Sequence, residues 1–73
     1  MRQLSDNNAS LAAFIARKTE IDTILARLTA LSSDHFSCEP ETVTWADVGT
    51  LANYLKGLRE ISDAAFQEGE HAA

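Results

Sequence analysis

A chain of 73 residues with 45% hydrophobic and 23% charged residues has the composition of one ordered helical domain and not of a disordered tail. Its formal charge of −5 repels phosphate backbones at long range and weighs against general nucleic-acid binding, and its longest apolar run, Leu11 to Ala16, is far short of the roughly 20 residues a membrane helix needs. Cys38 is the only cysteine, so no intrachain disulfide stabilises a domain this small; a lone thiol fits a reducing cytoplasm, and oligomerisation is the remaining general device.

In the first half of the chain, Leu4, Leu11, Leu25 and Ser32 share one heptad position with Lys18, and Phe14, Ile21 and Leu28 fall three residues later in each heptad. This is helical spacing. Ile15, Ile24 and Leu31 widen the stripe beyond a two-stranded seam to the breadth of a bundle core. Ser5, Asp6, Asn7 and Asn8 offer side-chain oxygens for an N-cap, so the pattern predicts a helix over about 6–32.

The segment 33–43 breaks the period, and Pro40 within it lacks the amide a helix interior requires, so it is expected to be the connecting loop, anchored by Phe36. The next signal is local and specific. Thr44-Trp45-Ala46-Asp47 sets a hydroxyl at the cap and an acid at the third helical position, a capping box, with Val43 and Val48 at the two positions of a hydrophobic staple. Val48, Leu51, Leu55 and Leu58 carry the stripe of this second helix, expected over about 45–67, with Gly69 as its stop and a frayed tail over 69–73.

The expectation is therefore an all-α chain, one domain over 1–73: an antiparallel two-helix hairpin that dimerises into a four-helix bundle. The core and dimer face falls on Leu11, Phe14, Ile21, Leu25, Leu28, Val48, Leu51, Leu55 and Leu58. A competing source for the second layer is a different protein.

Residues suited to chemistry are few. His35 and Cys38, with Asp34, Glu39, Glu41 and His71, supply one cysteine and two histidines, a poor match to the several Cys or His ligands of a zinc site. There is no phosphate-cradling glycine loop, no His-Glu-x-x-His and no nucleophile elbow. The expectation is a non-enzymatic chain with no cofactor. Gly49 and Gly57, each costing on the order of 1 kcal/mol inside a helix, lie with Asn53 off the apolar stripe and form either a close-approach face for a partner or tolerated surface positions. Arg17 and Lys18 are the other candidates for a partner face. Lys18 interrupts the stripe, either lifting its ammonium to water or setting register and oligomeric state. Glu60, Asp63, Glu68 and Glu70 crowd the end of the second helix, either as a solvated end or as an acidic patch for a basic partner.

In layout, and in the segments Ala13-Phe14-Ile15-Ala16-Arg17 and Ile24-Leu25-Ala26-Arg27-Leu28, the chain resembles the repressor-of-primer family of plasmid proteins, short acidic hairpins that form four-helix dimers. Phe14 matches the type of residue that family uses to contact RNA, whereas the Thr44–Asp47 box and the long loop depart from it. More broadly, the chain looks like the small accessory proteins of bacterial plasmids and other mobile elements. These features together suggest a protein-interaction or regulatory module with a protein partner. The alternatives are an RNA-binding bundle using Arg17, Lys18 and Arg27, or an acidic decoy of a nucleic-acid-binding protein.

Overall fold

The computed structural model describes residues 2–72, and the side chains of 7–70 and of Ala72. The described residues are mostly helical, with short extended links and no strand among them. They divide into two units, Met1–Ser37 and Cys38–Ala73.

The first unit is one long helix, α1, Arg2–Ser33, closed by a short turn at His35–Ser37. The helix starts at Arg2 and not near Asp6, because Arg2, Gln3 and Leu4 are good helix formers and carry the backbone ladder through the Ser-Asp-Asn-Asn cluster. The side chains of Leu4, Ser5 and Asp6, to which stripe and cap roles were assigned, lie outside the described set. Within α1 the hydroxyls of Thr23 and Ser33 donate to the carbonyls of Thr19 and Thr29, each at 3.0 Å. That bonding is how a helix accommodates such residues, and it carries α1 one residue past Ser32.

After Ser33 the backbone reverses hand. Asp34 donates to the Leu31 carbonyl at 3.1 Å, and Ser37 to that of Asp34 at 3.0 Å. Between them His35, Phe36 and Ser37 have φ of 54°, 53° and 63°. None is glycine, and an L-residue in the left-handed region costs roughly 1–2 kcal/mol. The connection thus holds stored strain, and Phe36 within it is half-buried.

The second unit opens with a turn at Pro40–Thr42 and continues as α2, Trp45–Phe66. The capping box forms as the sequence suggests. Thr44 Oγ1 accepts from the Asp47 amide at 3.4 Å, while Asp47 Oδ2 accepts from the Thr44 amide at 3.0 Å and from its hydroxyl at 3.2 Å. These bonds satisfy two amides that the helix itself leaves open.

The helix does not end at Gly69. Gln67 adopts the left-handed cap, φ 54° and ψ 50°, with its amide on the Asp63 carbonyl, which also accepts from Glu68 at 2.8 Å. Gly69, at φ 57°, instead opens a further turn, Gly69–His71, where the tail was expected to fray. Glycine is required there twice over: the left-handed φ disfavours a side chain, and a Cβ would stand 2.7 Å from Asp63 Oδ2. The side chain of His71, and Ala73 altogether, lie outside the described residues.

Two substitutions check these ends. Thr44→Ala should lower stability by about 1 kcal/mol in a denaturant melt. Gln67→Gly should raise it by roughly 1 kcal/mol, because glycine enters the left-handed cap without the Cβ penalty.

Candidate interaction surface

No described side chain is buried. Within α1, Leu11, Phe14, Ile15, Ile21, Ile24, Leu25 and Leu31 are all exposed, Phe14 by 65%, and only Leu28 is half-buried. At about 100° per residue these eight occupy an arc of about 200° around the helix. Such an arc exceeds the roughly 100° that one packed neighbour requires. Below it a shallow open groove of about 540 Å³ runs along Ile24, Arg27, Leu28, Leu31 and Asp34.

Within α2, Val48, Leu51, Tyr54, Leu55, Leu58, Ile61 and Phe66 fall in an arc of about 140°, and every one of them is exposed. Trp45, 87% exposed, sits at the first helical position. The nine residues assigned to the core and dimer face thus lie on one face of their own helix, and nothing in their own unit covers them.

Charged residues frame these faces. Lys18 stands inside the α1 arc and donates to Asp22 Oδ2 at 2.7 Å, one turn on. Both side chains are more than half exposed, so the pair is worth a few tenths of a kcal/mol. Arg17, Lys18 and Arg27 do not converge: they spread over about half the circumference of α1, with Arg27 about 15 Å further along the axis than Arg17. In the second unit the turn at Gly69 closes an open hollow of about 450 Å³ over α2, where Lys56 and Arg59 lie among Glu60, Asp63 and Glu70. The acidic end of the chain is therefore interleaved with two bases. The tail's fold-back, which creates this hollow, was not legible, because a left-handed Gln67 has no sequence signature.

Gly49 and Gly57 face open space: a Cβ at either would meet nothing within 4 Å. Gly49 and Asn53 lie opposite the centre of the α2 apolar arc, and Gly57 lies about 110° from that centre. Among the described residues no three His, Cys, Asp or Glu side chains come together to hold a metal ion, and no helix is long and apolar enough to cross a membrane.

No protein-family model matches this chain, and comparison with curated proteins and with solved structures finds none that is similar.

The open glycine sites give a direct check. Gly57→Ala should stabilise by roughly 0.4–1 kcal/mol in a denaturant melt, since the methyl meets no neighbour and the unfolded chain loses freedom; a loss would mean that a second helix approaches this face.

Proposed function

We propose that this chain is a non-catalytic protein-interaction module that works through the apolar faces of its two helices, folding as an antiparallel hairpin and pairing with a second copy as a four-helix bundle. The observation that carries this reading is the exposure of sixteen large apolar side chains among the described residues. Each Leu, Ile or Phe gains about 1.5–3 kcal/mol on full burial, so faces of this size are interaction surfaces.

Two features support the layout. The apolar stretches Leu11–Leu31 and Val48–Phe66 are each about 30 Å long at 1.5 Å per residue and match when laid antiparallel. The α1 arc has room for two neighbours, one more than a lone hairpin provides. Neither open groove holds a nucleophile with a base beside it, which favours a binding role over a catalytic one. The divergence of Arg17, Lys18 and Arg27 favours a protein partner over RNA, and the two bases in the acidic hollow favour it over a nucleic-acid decoy. A regulatory accessory role on a bacterial plasmid or other mobile element, in the cytoplasm, is the biological setting that the composition and layout suggest.

The test is a stripe substitution set against a control on the opposite face. Leu55→Ala should cost about 2–5 kcal/mol, as for a side chain packed at an interface, and should release proteins retained by the tagged chain. Ala16→Asp, opposite the α1 arc, should stay within about 1 kcal/mol and keep them. A Leu55→Ala loss below about 0.5 kcal/mol, or retention of RNA in place of protein, would contradict the proposal.

A further inference from the structure

Strain in this chain is concentrated just after α1. His35, Phe36 and Ser37 take left-handed φ in succession, at 54°, 53° and 63°, whereas the single left-handed Gln67 is an ordinary helix cap. Two backbone bonds close the strained turn, from Asp34 to Leu31 at 3.1 Å and from Ser37 to Asp34 at 3.0 Å, and Phe36 is half-buried in it. Strain of this kind persists only while other contacts hold it, and it gathers at segments that switch.

The sequence offers the same segment an unstrained course. From Asp34 to Cys38 there is neither glycine nor proline, so a right-handed helix can run on and give each of these amides a carbonyl four residues earlier. Pro40 fixes where that helix must stop. It disfavours helical geometry at the residue before it, and Glu39 is extended, with φ −77° and ψ 122°. Lengthened to Cys38, α1 would reach about 7.5 Å beyond Ser33 and would place Phe36 about 20° from Leu25, inside the apolar arc. His35 would enter the arc as well, beside Leu28, so the apolar gain is that of Phe36.

What lies over the arc decides between the two courses. With the arc open, as in this structure, extension would move a half-buried ring onto a face where Leu25 is 51% exposed, and His, Phe, Ser and Cys are only middling helix formers. With the arc covered, the same ring is buried on the helix and the left-handed strain is released. We infer that His35–Ser37 is a helix-extension switch: covering the α1 arc converts the left-handed turn into right-handed helix as far as Cys38 and carries Phe36 into the covered face. This rests on the proposed covering of the apolar faces. It holds for a covering helix of either direction, because the ring enters the arc whichever way the partner runs.

The experiment is nuclear magnetic resonance on the full chain at a concentration where light scattering gives twice the chain mass, together with melts of His35→Ala and His35→Gly under the same conditions. Right-handed helix should bring the α-proton of Ser32 near the amide of Phe36, and that of Ser33 near the amide of Ser37. The alanine variant should then melt above the glycine variant by roughly 4–8 °C, because alanine is the better residue inside a helix. In a permanent left-handed turn the order reverses, since glycine alone enters that region without a Cβ penalty. A paired chain that lacks those proton contacts, with glycine melting above alanine, would overturn the switch and leave the pairing standing. A single chain mass at every concentration would overturn both.

Discussion

An α-helix satisfies its own backbone but cannot bury its own side chains, and this constraint governs the rest of the molecule. Both helices are locally well made: α1 runs 32 residues, and α2 opens on a reciprocal cap. Neither encloses a core, and every large apolar residue on them other than Leu28 is exposed by more than a third among the described side chains. Most helical stability in proteins comes from packing an apolar face and not from helix propensity. The order written into these two segments therefore presupposes contacts beyond each of them.

Charge divides the work differently. The net charge of −5 suggests an acidic surface, but Lys56 and Arg59 line the same hollow as Glu60, Asp63 and Glu70, and Asp22 is taken up by Lys18. What remains is a mixed polar surface around two apolar faces. Electrostatics here is better placed to choose among arrangements of the helices than to drive their association, since exposed ion pairs contribute at most about 1 kcal/mol and burial contributes several times more.

Much of the fold was legible because the signals were local and periodic. The α2 start followed from Thr44 and Asp47, whose side chains need only each other's backbone, and the stripes followed from the 3.6-residue repeat. The misplaced boundaries have a common cause. At Arg2, at Gln67 and at His35–Ser37 the backbone adopts what neighbouring hydrogen bonds favour against weak residue preferences: the helix runs through an asparagine cluster, and left-handed conformations fall on Gln, His, Phe and Ser in addition to Gly69. The helix glycines leave open space, since a Cβ at Gly49 or Gly57 would meet nothing within 4 Å. The candidate surface was readable as a set of residues, and its breadth around α1 follows from the same repeat.

The claim on which this account turns is that the apolar faces are covered by a second copy, and the most direct measurement is the thermal midpoint of the helical signal across a hundredfold range of protein concentration. Folding coupled to pairing should raise the midpoint on the order of 10 °C over that range, since mass action adds about 2.7 kcal/mol per dimer. A cooperative transition whose midpoint does not move with concentration would show that the single chain covers its own faces, and would contradict the account.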